Sequence, residues 1–242
     1  MTWGITPLVA CAVITLLLAS FAPVGPIEGK QAIRLAFEIV LGVDRAGDQV
    51  TLRERMRPLL LFMVLLMETF SMASLVSTEV LQRTVTAVLV TPARVADFLI
   101  AKTVFGTVLS LGQAFIILAL IGGATAQNWS LLLATLLVGA LMFTGVALFV
   151  GSAGKDFMGQ LFLAMLVTIP LLIPAFAVLL PGSAAPWVQA LPSYPVIDVL
   201  VSAMLYGANW SESAGSLAVA TAWLVVLTGL GWVTLKRKVE SL

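Results

Sequence analysis

The stretch PLLLFMVLLMETFSMASLVST at Pro58–Thr78 runs directly into EVLQRTVTAVLVTPARVADFLIAK at Glu79–Lys102. The first part has the length of a bilayer-spanning helix, about 20 apolar residues. The second is a mixed polar segment between two strongly apolar runs. It restarts as a helix at Thr91-Pro92, because threonine is a good N-cap and proline is favoured at the first helical position. Together they predict a membrane helix that extends beyond the bilayer, a turn, and a second helix that leads into the next span.

The composition of the whole chain agrees with a bilayer environment. Of 242 residues, 60% are hydrophobic and 10% are charged, more apolar surface than a soluble domain of this size could hide from water. The net charge of +1 predicts no nucleic-acid partner. Histidine is absent and Cys11 is the single cysteine, which excludes an internal disulfide and a Cys/His zinc site.

We expect an all-α integral membrane protein, a single transmembrane domain over residues 1–242, with six transmembrane helices. The first apolar run lacks a basic segment before it and is interpreted as a retained span, not a signal peptide. The six predicted spans are approximately Ile5–Val24, Pro58–Thr78, Leu99–Gly122, Ser130–Gly151, Phe157–Leu180 and Ala214–Leu235.

Six spans place both termini on one side of the membrane. Lys236-Arg237-Lys238 follows the last span, and positive residues near span ends favour the cytoplasm. The resulting count is nearly even, with seven positive residues inside and six outside. The inner set is Arg83, Arg94, Lys102, Lys155, Lys236, Arg237 and Lys238, and the outer set is Lys30, Arg34, Arg45, Arg53, Arg55 and Arg57. We therefore predict a multi-pass protein of the cell membrane with cytoplasmic termini.

A second irregular segment precedes the last span. Ala184–Tyr206 is apolar but is interrupted by Pro186, Pro192 and Pro195, and its unbroken part, Val196–Tyr206, is too short to cross a bilayer. This pattern predicts a re-entrant helical segment on the outer side, buried by protein or lining a wet cavity.

Sequence motifs for catalysis or nucleotide binding are missing. The nearest approach to a P-loop, Gly151-Ser-Ala-Gly154-Lys155, has Phe149 at the first glycine position and Asp156 where Ser or Thr is required. There is no G-x-S-x-G or H-E-x-x-H sequence. The chain is therefore not expected to be an enzyme, nor to hold a cofactor or metal of its own.

Glu68 is the one acidic residue deep in a predicted span. A carboxylate at the centre of a membrane helix costs about 2.5–3.5 kcal/mol on insertion scales, so it needs a partner or a function. Ser71 and Thr78 lie on the same helical face, which can therefore turn inward. Two interpretations stay open: Glu68 joins helices or subunits by hydrogen bonding, or it contacts a substrate, ion or proton.

The third predicted span carries small and polar residues on one face: Thr103, Gly106, Thr107, Ser110 and Gln113. Such a face is typical of close helix packing, and it could also line a translocation path. The candidate path residues are Glu68, Ser71, Thr107, Ser110 and Gln113.

The polar segment after the second span offers two features. Glu79 and Arg83 are four residues apart and can pair on one helical face. Val85, Val88, Leu89 and Val90 place apolar surface outside the membrane, which a partner would cover. A plain helical hairpin without a partner is the alternative.

The chain resembles the type-two ATP-binding-cassette exporter permeases from about Pro58 onward. The matching residues are Glu79, Arg83, Thr84, Leu89, Thr91, Pro92 and Lys102, together with the proline-broken segment before the last span. Two features depart from the family pattern. Arg83 stands where a glycine usually precedes the threonine, and only Met1–Thr6 stands where a cytoplasmic amphipathic helix usually precedes the first span.

The resemblance implies a half-transporter for efflux across the cell inner membrane. Two permeases, identical or paralogous, would form the path, and separate P-loop ATPase subunits would bind ATP and Mg²⁺. Those ATPases would dock on a short cytoplasmic coupling helix. The implied coupling residues are Glu79, Arg83, Thr84, Leu89, Thr91, Pro92, Arg94 and Asp97. The residues alone leave two alternatives: an ATP-independent carrier or channel that uses Glu68 as its ion or proton site, and a non-transporting membrane scaffold.

Overall fold

The structure is a computed structural model that describes residues 52–82, 95–121, 128–154, 157–179 and 186–240. These residues form seven α-helices and no strand. The helices are α1 Leu52–Leu81, α2 Val95–Leu120, α3 Trp129–Ala153, α4 Phe157–Leu179, α5 Pro186–Gln189, α6 Tyr194–Leu205 and α7 Trp210–Glu240. The predicted first span, Ile5–Val24, lies outside the described residues.

Five of the helices are long and apolar enough to cross a membrane. Their candidate spans are Glu54–Glu79, Ala96–Leu120, Trp129–Ala153, Met158–Ala177 and Trp210–Arg237. On α7, exposed Trp210 and Trp232 are twenty-two residues apart, about 33 Å at 1.5 Å per residue. This separation matches a hydrocarbon core about 30 Å thick with an aromatic ring near each interface.

Two helices extend beyond their predicted limits. Helix α1 begins at Leu52 and includes Arg53, Arg55 and Arg57, which were predicted to lie in a loop. Pro58 lies inside this helix, in its second turn, where its missing N–H removes one backbone hydrogen bond. Helix α7 begins at Trp210 instead of Ala214, because its polar first turn, with Glu212, is favourable at a helix N-terminus.

Helix α3 lies at the centre of the bundle. It is 72% buried along its span, against 11% for α7 and 33% for α2. It packs against α1 through the edge-to-face rings of Phe62 and Phe143, whose centroids are 5.5 Å apart. Against α7 the backbones nearly touch: a Cβ on Gly231 would lie 2.6 Å from the Gly145 carbonyl oxygen, so this crossing requires glycine.

The short helix α6 is enclosed by α1, α3, α4 and α7. Its Val196, Ile197 and Leu200 are fully buried. A turn at 206–209 leads from α6 into α7, and the Asn128 side chain holds that turn against the start of α3. The Asn128 Nδ2 amide donates to the Ala208 carbonyl oxygen at 2.8 Å and to Asn209 Oδ1 at 3.0 Å.

Candidate functional site

The ends of α1 and α2 are joined by an ion pair on either side of residues 83–94, which are predicted to couple to an ATPase and are here named the coupling segment. Lys102 Nζ lies 2.5 Å from Glu79 Oε1, and the two side chains are only 18% and 23% exposed. The same ammonium group lies 5.6 Å from the centre of the Phe98 ring, a second favourable contact for a cation. The pair therefore fixes the two ends between which residues 83–94 connect the helices.

Most of the predicted coupling residues fall within that connection. Arg83, Thr84, Leu89, Thr91, Pro92 and Arg94 lie outside the described residues. Glu79 and Asp97 are described, at the last turn of α1 and the first turn of α2. Asp97 is exposed there, and an acidic residue in the first turn of a helix interacts favourably with the helix dipole.

A second polar contact joins α1 and α2 deeper in the membrane. Gln113 Nε2 donates to Glu68 Oε2 at 3.0 Å, and Glu68 is only 3% exposed. The carboxylate therefore faces α2 and not lipid. Its other oxygen, Oε1, is buried and has no hydrogen-bond partner among the described residues.

The two polar contacts follow one register. Glu68 precedes Glu79 by eleven residues, and Lys102 precedes Gln113 by the same number. Eleven residues make about three helical turns and a rise of about 16 Å. Glu68 and Glu79 therefore lie on one face of α1, and Lys102 and Gln113 lie on one face of α2. Helices α1 and α2 are thus an antiparallel hairpin that polar contacts join at two levels.

The polar face of α2 is buried against its neighbours. Thr107 and Ser110 are 6% and 1% exposed, and the Thr107 hydroxyl donates to the Thr103 carbonyl oxygen at 2.8 Å. Gly106 faces the side chains of Met72 on α1 and Thr144 on α3. In this chain the small and polar residues of α2 therefore form a helix-packing face.

Ser71 differs from the other candidate path residues. It belongs to a partly open strip on the half of α1 that ends at Glu79, formed by Ser71, Ser74 and Thr78 and named here the α1 hydroxyl strip. Ser74 is exposed, and the Thr78 hydroxyl donates to its carbonyl oxygen at 2.8 Å. Met67, one turn before Ser71 near the middle of the same helix, is also exposed. Among the described residues, this exposed side of α1 therefore changes from a thioether to hydroxyl groups toward the end that carries Glu79.

Two contacts were not anticipated from the sequence. The pairing of Glu79 with Lys102 joins residues that are 23 positions apart, and only the antiparallel register of two long helices brings them together. Asn128 was not singled out at all, although an asparagine just before an apolar helix is a common capping residue. Its side chain instead bonds to residues 79–81 positions further along the chain.

No group of three or more His, Cys, Asp or Glu residues that could hold a metal ion occurs among the described residues.

Comparison with known proteins identifies a family for this helical arrangement. A family model described as ABC-2 family transporter protein matches residues 56–233. No curated protein and no solved structure matches the chain.

Proposed function

Since the chain belongs to the ABC-2 family of transporter proteins, we propose that it is the membrane-spanning permease subunit of an ATP-driven exporter. The observation that carries the proposal is the Glu79–Lys102 ion pair. It ties the ends of α1 and α2 together, so that a force on residues 83–94 acts on two spans at once.

ATP hydrolysis belongs, in this proposal, to a separate P-loop ATPase that holds ATP and Mg²⁺. The ATPase docks on residues 83–94, where Val88 and Leu89 supply the apolar contact and Arg83 and Arg94 supply charge. Glu79, Thr84, Thr91, Pro92 and Asp97 shape and anchor this coupling helix. The termini and the coupling helix lie in the cytoplasm, on the side of Lys236 and Arg237 at the end of α7.

The translocation path forms between two permease subunits, identical or paralogous. The α1 hydroxyl strip is the best candidate for its inner half, because hydroxyl groups that no described residue fully covers gain more from a wet path or a partner than from lipid. Ser71 would contact the transported molecule there. Glu68, Gln113, Thr107 and Ser110 would act behind this surface by fixing the α1–α2 packing.

Helix α6 is proposed to be the re-entrant segment. Near its start, Val196 lies against Gly139 of α3, and just after its end Gly207 accepts a hydrogen bond from Asn128. Val196 and Gly207 are eleven residues apart, and so are Gly139 and Asn128, the two residues of α3 and its start that they contact. Eleven residues of helix rise about 16 Å, so the two separations match. This supports a helix that begins about halfway along α3 and rises antiparallel to it toward the Asn128 end.

An ATP-independent carrier or channel is the second candidate, and one observation favours it. In the part of the chain that the structure describes, Glu68 Oε1 is buried without a hydrogen-bond partner, as expected of a site that takes up an ion or a proton. In the permease account, Glu68 instead serves the contact with Gln113. Replacement of Glu68 by glutamine distinguishes the permease from the carrier or channel.

Purification from the native membrane tests the proposal. The tagged full-length chain should bring down a fixed ratio of a subunit that carries a P-loop and hydrolyses ATP, and a photoreactive ATP analogue should label that subunit and not this chain. A complex without ATPase activity that still mediates transport of its cargo would contradict the proposal and favour the carrier.

A further inference from the structure

A small apolar cluster joins four spans at the end of the bundle next to the coupling segment. Its buried members are Val76 of α1, Leu99 of α2, Leu148 of α3 and Leu235 of α7, here named the four-helix junction. All four are at most 2% exposed. The junction is separate from the main hydrophobic core, and Phe98, the ring beside Lys102, packs against it.

The helices at the junction are held at very short range. A Cβ on Gly151 of α3 would lie 2.7 Å from the Ala73 carbonyl oxygen of α1 and 2.9 Å from Val76 Cβ. On the other side of α3, Ser152 Oγ lies 3.0 Å from Thr234 Oγ1 of α7, next to Leu235. Backbone and side-chain contacts therefore bracket the junction on both sides of α3.

Helix α7 has little direct contact with α1 and α2 in the part of the chain that the structure describes. It packs along α3 and α6, touches α2 only slightly, and is 11% buried over its span. Counted from the coupling segment, Leu99 lies three residues before Lys102 and Val76 three residues beyond Glu79, so both lie within one turn of the ion pair and receive a movement of that segment early. Closely packed apolar groups resist gradual deformation and pass a displacement on to their neighbours.

We infer that the four-helix junction transmits movement of the α1–α2 ends to α3 and α7, so that these helices shift together when the ATPase acts. The inference rests on the proposed function, because it needs an ATPase that moves residues 83–94. In this account, Leu235 is the residue through which α7 is engaged, and Leu148 links it to the other two helices.

The test follows two reporters in the complete complex of permease and ATPase. Cys11→Ser removes the single native cysteine. A nitroxide label is then attached to Ile100→Cys on α2 or to Val233→Cys on α7, positions that are 54% and 49% exposed. Label mobility is recorded without nucleotide, with Mg²⁺ and ATP, and with a non-hydrolysable ATP analogue. The parent should respond to nucleotide at both positions.

The informative variant is Leu235→Ala, which opens a cavity at a fully buried position. The α2 label should still respond to nucleotide, whereas the response of the α7 label should be lost. Leu230→Ala removes the same group at a position that is 50% exposed and should behave like the parent. Leu235→Met, which conserves volume, should keep most of the α7 response. If Leu235→Ala does not assemble, Leu235→Val gives a smaller cavity and should show the same loss in part.

The outcomes separate the junction from the proposed function. If the α7 label responds normally in the assembled Leu235→Ala or Leu235→Val complex, the junction does not transmit movement to α7. The same conclusion follows if the α7 label does not respond in the parent while the α2 label does. Loss of both responses in Leu235→Ala would also overturn the inferred role of the junction, because α2 would then depend on α7. A parent in which neither label responds, although the ATPase binds nucleotide, would contradict the proposed function itself.

Discussion

Lys102 of α2 and Glu79 of α1 form an ion pair 2.5 Å long at the point where both helices lead into the coupling segment. Eleven residues further from that segment on each helix, Gln113 and Glu68 repeat the connection as a hydrogen bond of 3.0 Å. The proposed lever of the transporter is therefore a hairpin joined at two levels, and each level makes a separate prediction.

The ion pair between Glu79 and Lys102 can be tested by charge reversal. Lys102→Glu should weaken the attachment of α1 to α2, because it leaves Glu79 facing a like charge at a partly buried site, at a cost of about 1–3 kcal/mol. The double variant Lys102→Glu with Glu79→Lys should recover part of that loss. Thermal unfolding in detergent measures both effects, and a double variant no better than the sum of the single ones would show that the pair is not coupled.

Glu68 distinguishes a helix-joining role from ion or proton handling. Glu68→Gln keeps the shape and a hydrogen-bonding group toward Gln113, so assembly, stability and transport should stay near those of the parent. Glu68→Ala leaves the Gln113 amide without its partner and should cost about 1–3 kcal/mol of stability. A Glu68→Gln protein that assembles normally but no longer transports would favour the carrier or channel.

Two glycines give a matched pair for helix packing. Gly151→Ala should lower the unfolding midpoint by the equivalent of about 1–3 kcal/mol, since its Cβ would meet the Ala73 carbonyl oxygen at 2.7 Å. Gly112→Ala, with nothing within 4 Å, should be neutral or stabilising by up to about 1 kcal/mol through helix propensity. Equal effects at both positions would mean that α1 and α3 do not approach as closely as described.

The Asn128 side chain is predicted to hold the α6–α7 turn in place. Asn128→Asp keeps the shape but removes the donor and sets a negative charge against the Ala208 carbonyl oxygen. Amide hydrogen exchange over residues 206–210 should therefore become faster, while Ser211→Ala, an exposed change nearby, should leave it unchanged. Unaltered exchange in Asn128→Asp would show that the turn does not depend on this side chain.

Membrane orientation is tested in intact cells in a Cys11→Ser background. Ser211→Cys, exposed at the start of α7, should react with an impermeant maleimide from outside. Ala153→Cys, exposed at the end of α3, should react only after the membrane is opened. The reverse pattern would place the coupling segment outside the cell and invert the proposed topology.

The hydropathy of the sequence was sufficient to predict the five described spans. Each apolar run has the length that the bilayer requires, so the predicted limits of α2, α3 and α4 lie within a few residues of the observed ones. The starts of α1 and α7 were missed, because Arg53–Arg57 and Ser211–Ser213 are polar turns that hydropathy alone assigns to loops. The short helix at Tyr194–Leu205 was predicted from its prolines, within two residues at its start.

The contacts between helices could not be predicted in the same way. A lone Glu68 indicates that a partner is needed, but the choice of Gln113 depends on how α1 and α2 align over their whole length. The same holds for Lys102, which the sequence shows only as a charge at the edge of a span. The junction of Val76, Leu99, Leu148 and Leu235 has no sequence signal, since each is one apolar residue among many in its helix.

The most direct test of the account is retention of the ATPase by a permease altered in the coupling segment. Val88→Asp combined with Leu89→Asp places two charges on the apolar surface at which the ATPase is proposed to dock. The tagged variant should insert into the membrane in normal amount but lose the co-purifying, ATP-hydrolysing subunit that the parent retains. Retention of that subunit at the parental ratio would contradict the claim that residues 83–94 connect this permease to its motor.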